Sequence, residues 1–183
     1  LGTIDILVNS AARVSGAYSP KLAEITEDDF WSDMNTKVMG YLRCAQAVAP
    51  YMIEQGWGRI INLSGMAARQ SGYAIGSIRN VSVHALSKNL ADELGPQGIN
   101  VTTVHPGMTY TERIPAMLEN QAQAQGITVE EAEQNMANRN SIHHIVDARE
   151  IAYVIAFLAS PKSISINGDA IATGGGIPRA IHY

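Results

Sequence analysis

The chain has 183 residues, enough for one domain with a substantial core, and its 46% apolar content is ordinary for a globular protein. A net charge of −4, from 17 acidic and 13 basic residues, argues against a nucleic-acid surface, and no apolar run reaches the roughly 18 residues of a membrane span. The single cysteine, Cys44, excludes an internal disulfide, and with no secretory signal in view a cytoplasmic protein is expected.

Ile4-Asp5-Ile6-Leu7-Val8-Asn9 is a nearly continuous apolar run, and it predicts a strand over 4–8 buried on both faces. The small residues Ser10-Ala11-Ala12 follow, so a ligand or backbone can come close there. Ser19-Pro20 reads as a loop. Thr26 then caps a helix whose first turn carries Glu27, Asp28 and Asp29. Val38, Leu42, Ala45, Val48, Ala49 and Met52 describe a long amphipathic helix over 32–55, which Pro50 should bend or break. Gly56-Trp57-Gly58 turns the chain into a second buried strand, 59–63. A loop over 64–72 leads to a helix over 73–95, with Val83, Leu86, Leu90 and Leu94 on one face. Gly95-Pro96-Gln97-Gly98 stops it, and a strand over 99–104 runs into the His105-Pro106-Gly107 corner.

Beyond Gly107 the pattern weakens into a variable helical segment over about 108–140. It reads as two surface helices, with a break at Gly126 and a cap at Thr128. Asp147 caps a helix bearing Ile151, Val154, Ile155, Phe157 and Leu158, closed by Ser160-Pro161. A short strand over 169–172 precedes Gly174-Gly175-Gly176. Strands alternating with helices predict an α/β domain spanning 1–183, a doubly wound parallel sheet with helices 32–55 and 73–95 on one face.

Several of these motifs together resemble the short-chain dehydrogenase/reductase family. Asp5-Ile6-Leu7-Val8-Asn9-Ser10-Ala11-Ala12 is similar to that family's D-x-L-V-N-N-A-G strand end, and Gly58-Arg59-Ile60-Ile61-Asn62-Leu63-Ser64-Gly65 to its G-R-I-I-N-I-S-S strand. Residues 86–107 resemble its helix–turn–strand ending in Pro-Gly, and Ile166-Asn167-Gly168-Asp169 with Gly175-Gly176 its closing strand. The resemblance implies the Rossmann-like fold and an NAD(P)-linked oxidoreductase of unknown small-molecule substrate. In the family a glycine-rich turn ahead of the first of these motifs holds the dinucleotide pyrophosphate. This sequence has no G-x-x-x-G-x-G at a strand-to-helix junction. The chain therefore reads as the C-terminal part of a longer protein, and alone it is not expected to hold NAD or NADP.

The resemblance also implies four catalytic groups. A Tyr moves the hydroxyl proton and a Lys four residues later tunes it; a Ser orients the carbonyl and an Asn anchors a water relay. Read back from Pro106-Gly107, the Tyr position holds Gly76 and the Lys position Asn80. The Ser position holds Gly65 and the Asn position Lys37, and no Tyr-x-x-x-Lys occurs anywhere. Amine and amide have thus changed places between the two helices. Ser64, Ser77 and Tyr73 offer substitute hydroxyls, with Tyr73 expected to share the helix face of Gly76; the alternative is that Tyr73 only packs or caps. By the same resemblance Asn9, Ala11, Ala12, Pro106, Gly107 and Thr111 would meet the cofactor. His143-His144 is not a metal pair by spacing, and Arg69 and Arg79 read as solvated.

Three functions stay open: an oxidoreductase by descent with altered or lost catalysis, a lyase- or dehalogenase-like enzyme on the same scaffold, and a non-catalytic subunit. A homodimer or homotetramer through helices 32–55 and 73–95 is expected, because Tyr41, Met52, Val81 and Val83 exceed what one buried face absorbs.

Overall fold

The computed structural model describes residues 2–12 and 20–178; Ser19 of the Ser19-Pro20 loop lies outside them. Four strands form one parallel sheet: β1 (Ile6–Asn9), β2 (Gly58–Leu63), β3 (Ile99–Pro106) and, from the C-terminal end, Ala170–Thr173, in that spatial order. Each crossover is helical. Between β1 and β2 run α1 (Glu27–Met34), a π-helical turn (Asn35–Met39) and α2 (Gly40–Gln55), without a break. Between β2 and β3 lies α3 (Ala74–Leu94). The last crossover carries β4 (Thr109–Tyr110), α4 (Ile114–Gln125), α5 (Val129–Ala137), β5 (Val146–Asp147) and α6 (Ala148–Ala159), after which the fourth strand of the main sheet is β6. β4 and β5 pair with each other as a separate parallel ladder.

The sheet is covered on both faces. Ala45, Val48 and Met52 of α2 pack with Ala91 and Leu94 of α3 on Ile60, Ile99 and Val101. On the opposite face Ile151 and Leu158 of α6 meet Ile61 and Val104. A third cluster, Ile114, Leu118, Ala132 and Met136, closes α4 on α5, with Gly126 and the Thr128–Glu131 capping box where the break was expected.

Four expectations need correcting. The helix irregularity falls at Asn35–Met39 and not at Pro50, where α2 continues unbroken to Gln55 at the loss of one helix hydrogen bond. Tyr41, Met52 and Val83, expected to spill onto an interface, are all buried within this chain, and of the four only Val81 is exposed. Arg79 is not solvated but lies in an ion pair with Asp33. Nor is β1 buried on both faces, as its apolar run predicted: it is the edge strand of the described sheet, only Leu7 of its apolar residues packs on the core, and Ile6 and Val8 are exposed.

Inside, buried amides join the first two strands to α3. Asn9 Nδ2 donates to Asn62 Oδ1 at 2.8 Å, Asn62 Nδ2 to Ser87 Oγ at 2.9 Å, and Ser87 Oγ to the Val83 carbonyl at 2.8 Å. Each polar group so removed from water keeps a partner, which is what makes such burial tolerable.

Candidate functional site

The carboxyl ends of parallel strands are where an open α/β sheet leaves a crevice. Here β2 ends at Ser64-Gly65, β3 at Pro106-Gly107 and β6 just before Gly174. Together with Arg79 and Asn80 of α3 and Met136, Arg139 and Asn140 from the α5 end, they line a cavity of about 520 Å³. Backbone packing is tight at its floor: a Cβ on Gly107 would stand 2.7 Å from Gly174 Cα.

Lys37 comes to this floor from the π-helical turn, a feature that often re-aims a side chain at a functional site. It is 4% exposed, and its Nζ donates to the Ser64 carbonyl at 2.7 Å and to Asn80 Oδ1 at 3.3 Å. Burial, then the Arg79 guanidinium, pushes its pKa down to about 8, against an opposing pull from Asp33. Arg79 donates through Nη1 to both carboxylate oxygens of Asp33, at 2.9 and 2.8 Å, and through Nε to Asn80 Oδ1 at 3.2 Å.

This arrangement fixes the Asn80 amide. Lys37 and Arg79 can only donate, so the atom facing both must be the oxygen. Nδ2 then points the other way, toward Gly65, where a Cβ would stand 2.9 Å from it. It donates to no group among the described residues. A polarised amide donor therefore occupies the room that a side chain at position 65 would need.

The second glycine is treated alike. A Cβ on Gly76 would run into the Tyr73 ring, 2.9 Å from Cε1 and closer still to Cδ1. Tyr73 stands just ahead of α3, makes no side-chain cap, and leans its ring over Gly76. Its hydroxyl has no hydrogen-bond partner among the described residues. The expected proximity of Tyr73 to Gly76 thus arises from a residue outside the helix and not from a shared helical face.

Ser64 lines the cavity, but its Oγ donates to the Asn80 carbonyl at 2.9 Å. Ser77 turns to the Gln70 carbonyl and does not line the cavity. His105 is buried, and its Nδ1 accepts the Gly65 N–H at 3.4 Å. Of the residues expected to meet a cofactor, Pro106 and Gly107 line the cavity. Asn9 is committed to Asn62, Ala11 and Ala12 are exposed beyond β1, and Thr111 accepts the Ile114 N–H ahead of α4. The Tyr41 hydroxyl stands 3.0 Å from the carbonyls of both Ala11 and Leu63, joining the small-residue stretch to β2, and burial raises its pKa above the usual phenol value. His144 pairs with Glu150, and among the described residues no group of acids, histidines and cysteines could hold a metal ion. No helix among them is long and apolar enough to cross a membrane.

Asp33 and the orientation of Asn80 escape sequence reasoning. One signal for Asp33 was available: it stands four residues before Lys37, a spacing at which helical side chains meet.

Residues 1–178 match the family model described as Enoyl-(Acyl carrier protein) reductase. The chain is similar to the short-chain reductase protein NovJ of Streptomyces niveus, 32% identical over 182 residues, which cover 97% of this chain and 65% of that protein. Among solved structures it is similar to YwfH, an NADPH dependent reductase involved in bacilysin biosynthesis, at 26% identity and a TM-score of 0.85, covering 98% of this chain and 69% of that one. It is also similar to a dehalogenation enzyme, at 27% identity and a TM-score of 0.83, covering 96% of this chain and 69% of that one. The chain thus spans about two thirds of the length of these relatives.

Proposed function

The chain belongs to the short-chain dehydrogenase/reductase family, and we propose that it is an NAD(P)-linked oxidoreductase by descent in which the family's Tyr, Lys, Ser and Asn chemistry has been replaced. The observation that carries this reading is the contact between Lys37 and Asn80, amine and amide in exchanged places and still touching at 3.3 Å. Gly76 and Gly65 supply neither a proton donor nor a hydroxyl, and no Tyr-x-x-x-Lys exists to replace them.

A nicotinamide fits the glycine-lined floor, where Pro106 and Gly107 would hold it. The bound group would supply hydride. The pyrophosphate end finds no glycine-rich turn in this sequence, so NAD or NADP would need residues ahead of β1. The exposed apolar edge of β1 supports such a preceding segment. Asn80 Nδ2 would hold a substrate oxygen, Arg79 and Lys37 would keep that amide aimed, and Tyr73 is the remaining phenol near the position of the lost one. An amide and a guanidinium orient a carbonyl but do not protonate it. General acid–base groups contribute about 10²–10⁴-fold in rate, so ordinary ketone reduction should be slow by roughly that factor.

The test is a nicotinamide absorbance assay on the full-length protein over a ketone panel. It compares wild type, Lys37→Ala, and the triple variant Tyr73→Ala/Gly76→Tyr/Asn80→Lys, the first change clearing the ring that occupies the space. Slow wild-type turnover, altered by Lys37→Ala and raised in the triple variant, is expected. Robust wild-type turnover indifferent to Lys37→Ala overturns the reading.

The likeness to a dehalogenation enzyme favours a second reading, a lyase- or dehalogenase-like reaction that needs no hydride. Halide release from halohydrins without nicotinamide would separate the two. A non-catalytic subunit, silent in both assays, is the third. We place the protein in the cytoplasm, as a homodimer or homotetramer joined through the outer faces of α2 and α3, where Tyr51, Ile53, Ile78 and Val81 remain exposed. Small molecules, and neither nucleic acid nor membrane, are its proposed partners.

A further inference from the structure

Taking this cavity as the substrate site, we infer that its substrate carries a carboxylate, held between Asn80 and Arg79 at the floor and Arg139 at the rim. The polar groups at these three positions are all donors. Asn80 is 3% exposed, and its Nδ2 faces the cavity with no acceptor among the described residues. Arg79 spends Nε on Asn80 and Nη1 on Asp33, which leaves Nη2 without a partner among those residues. Arg139, an exposed residue, also lines the cavity, and its guanidinium pairs with no group among them. None of the residues lining the cavity is Asp, Glu or Lys.

Charge adds to geometry. Asp33 neutralises one of the two cations behind the floor, Arg79 and Lys37, so a protonated Lys37 leaves a surplus positive charge next to Asn80. An unpartnered buried amide N–H and a free guanidinium N–H next to that surplus would be poorly served by a neutral ligand. A carboxylate accepts from both at once, and guanidinium pairs with carboxylate are among the strongest such contacts. The apolar remainder of the wall, Met66, Met108, Met136 and Ile145, suits a short carbon skeleton.

The test uses the full-length protein and calorimetric titration at constant ionic strength. The probes are unbranched carboxylates of increasing length, pyruvate among them, each matched with its neutral amide. Saturable binding of at least one carboxylate, weakened roughly ten- to hundredfold in its amide, is expected. Arg139→Gln, an exposed position, should weaken the same acid by a similar factor. Asn80→Asp keeps the shape and the two cationic neighbours but aims an anion at the cavity, and should abolish binding. Equal binding of acid and amide, no binding of any acid, or indifference to both variants overturns the inference. So does loss of NADPH or NADH binding in Arg139→Gln with carboxylate binding intact, since the guanidinium would then serve the cofactor. Turnover is not read here: neutral ketones reduced rapidly would overturn the altered chemistry alone, and binding without turnover would leave the carboxylate site standing.

Discussion

Replacing Lys37 with methionine removes a buried charge while keeping the length of the side chain. Burial and the Arg79 guanidinium lower the Lys37 pKa from its ordinary 10.5 to about 8. The folded protein therefore sheds this proton near pH 8, whereas the unfolded chain holds it to about pH 10.5. Wherever the unfolded state binds more protons, stability rises with pH. The charge thus weakens the fold below pH 8, and the penalty is relieved as pH climbs toward 10.5. At about 1.36 kcal/mol per pH unit the full effect is about 3 kcal/mol, most of which returns between pH 7 and 10. Little discount for solvent applies, because Lys37 is 4% exposed. Tyr41, whose raised pKa keeps its proton in the fold, is common to both proteins and drops out of their difference. Urea unfolding of wild type and Lys37→Met at pH 7, 8, 9 and 10 reads that difference directly. Wild type should gain about 2 to 3 kcal/mol on the variant across the range. A pH-independent difference would mean that the ammonium is not desolvated at this floor, and the reasoning about the exchanged pair would fall with it.

Two further outcomes follow from the same geometry. Asp33→Asn leaves the Arg79 charge uncompensated; the side chains are 11% and 6% exposed, so a loss of about 3 kcal/mol is expected in chemical denaturation. Adding Arg79→Met should recover part of it, and strictly additive losses would refute the coupling. Ile78 and Val81 stand one turn apart on α3, 47% and 50% exposed. If that face joins subunits in an interface of about 1,600 Å², Val81→Glu should lower the mass seen by light scattering without changing the circular dichroism. A monomeric wild type at micromolar concentration would refute the assembly.

The fold was legible because its strands are short apolar runs and its helices keep a clear period. Ile60-Ile61, Val101 and Val104 could hardly be anything but core strand, and Thr128 and Asp147 announce their helices by their caps. That the Lys37 amine reaches the cleft beside Asn80 from the facing helix was legible as well, since it needs only the order of residues along two helices. The cradle around them was not. Asp33 looks like one more acid in an acidic helix start, and Arg79 like a solvated cation, until α1 is laid against α3. Which way the Asn80 amide faces depends on two donors from different helices, and no local pattern encodes that. Pro50 misled because an intrinsic helix breaker was weighed without the packing of Val48 and Met52, which holds α2 together around it.

The two glycines of the floor constrain how this sequence can change. Position 65 has no room for a side chain while Asn80 Nδ2 fills it, nor position 76 while the Tyr73 ring lies over it. Any single change to a serine at 65 or a tyrosine at 76 therefore meets a collision before it meets a benefit. Either change requires Asn80 or Tyr73 to move first, and moving Asn80 alone leaves Arg79 Nε without its acceptor. Substitutions that look independent along the chain are thus locked in order, so a lineage that entered this arrangement would find the way out closed to one-residue steps.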